Sequence, residues 1–561
     1  MAAFEVTEFF VRHEATLNRA IDAIHERLFY AHYPESPSGK IYGETANDEG
    51  RAAFEAQLGR LFDLRQQADR SLVSDEVSPF TLNPLHISYP VHDAPEAYIS
   101  ASQAAAPAWQ RLDAYIRAGI LVESLEGVRR RFFELAYATM HTTGQAFVMS
   151  FQASGPHAAD RALEAVALGL HEQTRFPGRT VEWVKPMGKG EVRIDKRWHN
   201  VPRGVSLCIG VSTFPVWNTL PGLYASLGTG NTAIVKPHPA AVYPLALVVQ
   251  EIQRALEAVG LDPQIVQLAT DTAAEPITTQ LAAHPDVRII DFTGGSQYGA
   301  YVESLADKIV FTEKSGVNSV IIDSVEDLKA AMGNLAMSVS LYSGQMCTAP
   351  QNFFIPEGGI EAGGSHASYE SVVAALTGAI QALAADPRMA PNILGAIQSP
   401  RTLDRSQQAR MLDARLLLDP QPAPNPEYPE ARIAAPLVLE AQADRKDVFG
   451  QELFGPVVLV IPTRNTPHSV ALARELALEK GAISCAAYTT DEEMMELIES
   501  EMTSAGAPVS FNFSGPVLIN QNATFSDFHV TGANPAGNAS ISDPSFIRRR
   551  FSVVGTRVYK P

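Results

Sequence analysis

Gly204-Val205-Ser206-Leu207-Cys208-Ile209-Gly210-Val211 is a short apolar run closed by glycines, with the length of a buried strand rather than of a helix. The pattern after it alternates. A helical stretch leads to a strand over 232–235, a helix over 241–258, a strand over 265–268, a further helix and a strand over 287–292. Strands separated by helices of ten or more residues specify a parallel sheet of βαβ units. Such sheets bind ligands outside the carboxyl ends of their strands, which is where Lys236 and the pair Gly294-Gly295 fall. A second α/β stretch runs from about 313 to 510 and is interrupted by a proline-rich surface loop at 419–428.

Upstream, Thr180-Val181-Glu182-Trp183-Val184, Gly188-Lys189-Gly190 and Val192-Arg193-Ile194-Asp195 read as a hairpin with a glycine turn. The first hundred residues read as amphipathic helices, with Phe9, Phe10, Ala20, Ile24, Leu28 and Phe29 at helical spacing. Phe54, Leu58, Leu61 and Leu64 repeat the pattern. Residues 104–171 are also helical in pattern. Their basic cluster Arg129-Arg130-Arg131 reads as a solvated helix face, with an anion site as the alternative. The tail Phe551-Ser552-Val553-Val554-Gly555-Thr556-Arg557-Val558-Tyr559 is a strand with no neighbour in sequence, so it pairs with the hairpin or with another subunit.

Composition narrows the function. The 561 residues exceed one ordinary core, and 46% apolar with 19% charged residues is the balance of a folded globular chain. Lys and Arg number 44 against 62 Asp and Glu, a net charge of −18 that disfavours nucleic acid or an anionic membrane as partner. Three cysteines fit a reducing compartment. With no apolar run long enough to span a bilayer and a start, MAAFEVTEFF, unlike a signal peptide, the expected location is cytoplasmic. The 14 histidines show no metal-binding spacing, so no metal is expected.

Cys208 and Cys485 sit inside apolar strands and read as core residues. Cys347, in Ser343-Gly344-Gln345-Met346-Cys347-Thr348-Ala349-Pro350, lies among small and polar residues at the apparent start of a helical turn. Backbone N–H groups there would lower its pKa and favour the reactive thiolate.

Three further segments add to it: Phe292-Thr293-Gly294-Gly295-Ser296, Phe311-Thr312-Glu313-Lys314-Ser315-Gly316, with Glu313 34 residues before Cys347, and Gln451-Glu452-Leu453-Phe454-Gly455-Pro456-Val457. Together with Gly230-Asn231-Thr232-Ala233-Ile234-Val235-Lys236-Pro237, they resemble the aldehyde dehydrogenase superfamily in order and approximate spacing. The likeness covers about 103 to the C-terminus. The long N-terminus, the Lys-Pro-His-Pro turn and the surroundings of Phe214 look most like the phenylacetate-degradation (PaaN-type) members of aromatic catabolism.

The resemblance implies an α/β fold with a Rossmann-type cofactor domain, an α/β catalytic domain, a small β oligomerisation element and a helical N-terminal extension. In this sequence those units would span 101–312 (with the hairpin at about 178–200), 313–525, 526–561 and 1–100. It implies an oxidoreductase that converts an aldehyde, including the CoA-linked semialdehyde class, to an acid with NAD or NADP. Cys347 would form a thiohemiacetal and then a thioester, and Glu313 would activate water to hydrolyse it. Glu452 would hold the nicotinamide ribose with Phe454 beside it; Lys236 and Pro237 would meet the adenine ribose; Gly294, Gly295 and Ser296 would face the pyrophosphate.

Two departures stand out. Family members often carry Glu three residues after the lysine, where this chain has Pro239, which favours NADP slightly. The family's oxyanion asparagine aligns with Thr213, while Asn218 follows five residues later, so either side chain is the candidate donor. The partners implied are a small-molecule aldehyde and copies of the chain in a homodimer or dimer of dimers. The competing functions are a CoA-acylating dehydrogenase and an inactive homologue kept as a scaffold.

Overall fold

The computed structural model describes residues 7–420, 423, 425–540 and 543–561. The first six residues of the opening segment and positions 421, 422 and 424 of the proline-rich loop lie outside the described residues.

The run at 204–211 forms strand β1 (Val205–Ile209). It is joined in one parallel sheet by β2 (Thr232–Lys236), β3 (Val266–Leu268), β4 (Val287–Thr293) and β5 (Ile309–Glu313), in the order β3-β2-β1-β4-β5. Chain order reverses between β1 and β4, which opens a crevice at their carboxyl ends. The fifth strand escaped the sequence pattern because its half-buried ends, Ile309 and Glu313, leave only three fully buried positions.

A second sheet is built from β6 (Ser319–Ile322), β7 (Asn352–Pro356), β8 (Arg415–Leu418), β9 (Leu437–Glu440), β10 (Val457–Thr463), β11 (Cys485–Tyr488) and β12 (Val509–Phe511). Its order is β8-β9-β10-β7-β6-β11-β12, with only the edge strand β8 antiparallel. The central strands are buried along their whole length, as parallel strands covered on both faces must be.

The N-terminal hundred residues are not helical throughout. Helix Glu8–Glu26 ends where Arg27 takes φ +56°, which leaves Leu28 and Phe29 exposed; Leu58 and Leu61 likewise fall beyond helix Ala46–Gln57. Arg70–Val73 and Ser88–Val91 then form an antiparallel ladder. This segment closes the edge of the first sheet. Gln66 exchanges two hydrogen bonds with the backbone of Leu268 on β3, at 2.8 and 2.9 Å, standing in for a missing strand. Buried Glu76 accepts the N–H groups of Val242 and Tyr243, each at 2.7 Å, and so caps helix Tyr243–Ala258.

The hairpin is an arm of strands Val181–Met187 and Gly190–Pro202, and the tail strand Phe551–Lys560 pairs antiparallel with the second of them. Of the two partners open to it, the tail takes the hairpin of its own chain. At its root Arg550, fully buried, makes a bidentate ion pair with Asp291 of β4 at 2.5 and 2.7 Å. The arginine cluster is engaged too: Arg129 pairs with Glu126, and Arg131 with Glu134 and Glu251.

Candidate active site

Cys347 sits where the two sheets meet. The backbone before it is left-handed at Tyr342, Ser343 and Gly344, with φ of +54°, +52° and +66°. A Cβ on Gly344 would stand 2.4 Å from the Gly455 carbonyl, so glycine is required there. The costly turn is held from outside: the Tyr342 hydroxyl donates to the Thr143 carbonyl, Ser343 to Leu394 at 2.7 Å, and the Gln345 amide to Ala396 at 2.9 Å. Asn318 donates to the Cys347 carbonyl at 2.7 Å.

Cys347 itself lies in a turn and not at a helix start, so the expected lowering of its pKa by a helical terminus does not occur. Burial, then the charges of Glu313 and Glu452, push the thiol well above its ordinary range. Cys208 and Cys485 are buried in their strands as expected, with thiols also raised by desolvation.

Glu313, the last residue of β5, faces Cys347. The sulfur, a Glu313 carboxylate oxygen and a His529 ring nitrogen lie within 4.8 Å of one another. Three donors surround the carboxylate: His529 Nε2 at 3.0 Å, Asn218 Nδ2 at 3.0 Å and the Cys347 thiol. Burial opposes the charge, but His529, the thiol and nearby Arg161 outweigh it and hold Glu313 below the usual carboxylate range. His529 is held in turn by the Asn522 side chain at 3.1 Å and by the Trp217 ring, edge to face at 4.6 Å. The Arg161 guanidinium lies 3.6 Å from the centre of that indole.

His529 has no spacing signal in the sequence. It arrives on a return segment that crosses β5, where Asn538 pairs with the backbone of Thr312. These three residue types also suit a metal, although no sequence spacing announced them.

The two candidate oxyanion donors separate. Asn218 stands in the first turn of helix Pro215–Gly228 and lines a cavity of about 260 Å³ together with Cys347. Thr213 is buried outside that lining, and its carbonyl accepts the Gln145 amide at 2.8 Å.

On the other side of Cys347, Glu452 and Phe454 line a small cavity shared with the cysteine. Glu452 hydrogen-bonds Ser315, and burial raises its pKa. Lys236 ends β2 and is buried in an ion pair with Asp271 at 2.5 Å, while its ammonium also donates to the Pro237 carbonyl at 2.6 Å. Asp271, just past β3, was missed by the sequence reading because nothing local links it to Lys236. Gly294 follows β4, exposed Gly295 precedes helix Ser296–Glu303, and a Cβ on Gly295 would meet open space.

The aldehyde dehydrogenase family model matches residues 75–524. This chain belongs to the aldehyde dehydrogenase family. The crystal structure of an NAD-dependent aldehyde dehydrogenase from Burkholderia multivorans is 44% identical, covers 99% of each chain and superposes with a TM-score of 0.96. An aldehyde dehydrogenase-like protein of Saccharomyces cerevisiae is 25% identical over 370 residues, 63% of this chain and 53% of that protein. A 1-pyrroline-5-carboxylate dehydrogenase from Anoxybacillus flavithermus is 25% identical over 342 residues, 57% of this chain and 62% of its own length. The chain thus spans little more than half the length of these two curated relatives.

For an aldehyde dehydrogenase, the residues fit a nicotinamide dinucleotide. The switch-point crevice is lined by Ile209, Thr293 and Glu313 at the ends of β1, β4 and β5. The carboxylate of Glu452 waits beside Cys347, and the space next to Gly295, before helix Ser296–Glu303, is open, while the Phe292 ring lies against Gly294.

Proposed function

We propose that this protein oxidises an aldehyde to a carboxylic acid with a nicotinamide dinucleotide, with Cys347 as nucleophile. The observation that supports it most is the meeting of the Cys347 sulfur with the Glu313 carboxylate between a substrate-sized cavity and the Glu452 pocket. Glu452 and Phe454 would hold the nicotinamide end, Lys236, Pro237 and Asp271 the adenosine end, and Gly294, Gly295 and Ser296 the phosphates between them. When bound, the cofactor accepts the hydride from the former aldehyde carbon.

The rest falls to the protein. Because the thiol is the resting form, Glu313 takes its proton as sulfur attacks the carbonyl. The second N–H of the Asn218 amide is free of Glu313 and donates to the oxyanion, with Thr213 left as a structural residue. After hydride departure a thioester remains on Cys347. Glu313 releases the thiol's proton to solvent, returns to its carboxylate form, and then accepts a proton from water as it attacks that carbonyl, and the thiolate leaves. His529 keeps Glu313 oriented and ionised for both transfers.

Asp271 changes the reading of cofactor preference. The carboxylate missing at Pro239 is supplied by Asp271 just past the neighbouring strand, so Lys236 offers no net charge to a 2′-phosphate, and we infer a preference for NAD. The phenylacetate-type subfamily and the CoA-linked semialdehyde gain no support from the relatives described above, and the substrate is carried forward only as an aldehyde. Glu313 beside the thiol argues against free CoA as the acyl acceptor, and the intact cluster argues against a scaffold role. The test is a panel of aldehydes with NAD and NADP, using Cys347→Ala as control. Acid formation without added CoA, lost in the variant, supports the proposal; an acyl-CoA formed only with free CoA, or no turnover, contradicts it.

A further inference from the structure

We infer that the substrate is an uncharged aldehyde with a largely apolar body, and that the site discriminates against aldehydes bearing a second, anionic end. This rests on the aldehyde reading of Cys347 and deepens it.

The cavity at the sulfur is walled by Val148, Met149, Phe214, Leu341, Ile393 and Leu518. Its polar lining is neutral amide, from Gln152, Asn392, Gln521 and their neighbours. No lysine, arginine, aspartate or glutamate is among the lining residues. The two histidines in the lining are committed to carboxylates: His529 to Glu313 at 3.0 Å, and His157 to Glu35 at 2.8 Å. Arg161, behind the wall, is stacked on Trp217, is buried, and takes no part in the lining. Its charge acts on Glu164, then on Glu313 and the Cys347 sulfur.

A carboxylate brought into this space would lose its water and gain no cationic partner, whereas an alkyl or aryl chain would gain burial. At about 260 Å³ the cavity falls just below the roughly 300–1,000 Å³ of drug-sized sites, which suits an aldehyde of about ten heavy atoms. The neutral amides can hydrogen-bond an uncharged polar group on that chain. The inference separates this chain from the relative whose name contains a carboxylate, 1-pyrroline-5-carboxylate dehydrogenase.

The test pairs neutral aldehydes (hexanal, phenylacetaldehyde) with succinic semialdehyde in two assays on the full-length protein. One is kcat/KM with NAD; the other, without cofactor, is protection of Cys347 from alkylation. The expected discrimination is about 10²-fold or more in favour of the neutral compounds in both. Val148→Arg, at an exposed position of the wall, should raise the succinic semialdehyde to hexanal ratio at least about tenfold. Equal or better turnover and protection by succinic semialdehyde in the unmodified protein would overturn the inference, as would a ratio unmoved by Val148→Arg. If protection follows the expected order while no aldehyde reduces NAD, the oxidation reading fails and the specificity of the cavity stands.

Discussion

At the scale of single residues, Glu313 must stay ionised in a buried place, and its neighbours provide for that. His529 Nε2 stands 3.0 Å from it while Nδ1 faces the Asn522 side chain at 3.1 Å, so the ring donates to Glu313 in the form that carries a proton on Nε2. Removing the ring leaves burial less opposed, and the Glu313 pKa rises; Arg161, the Cys347 thiol and the Asn218 amide remain to favour its charge. A carboxylate held below its ordinary range keeps its proton-accepting form as pH falls, and raising its pKa moves the acidic limb of activity to higher pH. His529→Gln is expected to shift that limb of kcat upward and to slow steady-state turnover about tenfold or more, while the first-turnover burst of reduced cofactor persists. An unshifted pH profile would show that His529 only fills space.

Asp271 is read the same way. Asp271→Asn should raise the NADP to NAD ratio of kcat/KM by about tenfold or more, because Lys236 would regain its net charge. Steady-state rates with both cofactors check it. Cys347 and Glu313 were expected because their segments carry the family resemblance, and the structure brings their side chains together. His529 and Asp271 were not, since each meets its partner only after distant segments fold together.

At the scale of elements, β1 to β4 were readable from apolar runs and glycine punctuation, while the closure of the sheet was not. Gln66 covers the β3 edge with one side-chain amide, and Glu76 caps a helix 166 residues away, arrangements with no periodic signature. The tail strand announced itself, but its anchor did not. Arg550 joins the strand root to β4 through Asp291 and also donates to Ser226 at 2.7 Å. Arg550→Ala leaves the Asp291 carboxylate without its partner, and a loss of about 3–5 kcal/mol in denaturant unfolding is expected. A change below about 1 kcal/mol would mean that water replaces the guanidinium without cost.

At the scale of the molecule, two α/β lobes meet at Cys347, the N-terminal segment closes one sheet edge, and the arm stands apart. No described helix is long and apolar enough to cross a membrane. The arm exposes Trp183, Met187, Val554, Val558 and Tyr559, an apolar content that solvent does not favour. We expect this surface to join copies of the chain. Val554→Asp with Val558→Asp should lower the mass seen by light scattering with the melting temperature little changed; an unchanged mass would remove the arm from the assembly. The likeness of motif order implied a Rossmann-type sheet and a second α/β sheet, and the structure has both. The size and neutrality of the substrate cavity were hidden, because its wall draws on segments from Val148 to Leu518 that no local pattern connects.

The central claim is that the acyl group passes through the Cys347 sulfur and is released by Glu313. The most direct measurement is mass spectrometry of Glu313→Gln after mixing with aldehyde and NAD at alkaline pH, where the thiol, relieved of the Glu313 charge that raises its pKa, ionises without a general base. A thioester on the peptide carrying Cys347, at the mass of the aldehyde less a hydride and a proton, formed together with one equivalent of reduced cofactor, is the result predicted. Reduced cofactor appearing without that adduct, or an adduct on another residue, would contradict it.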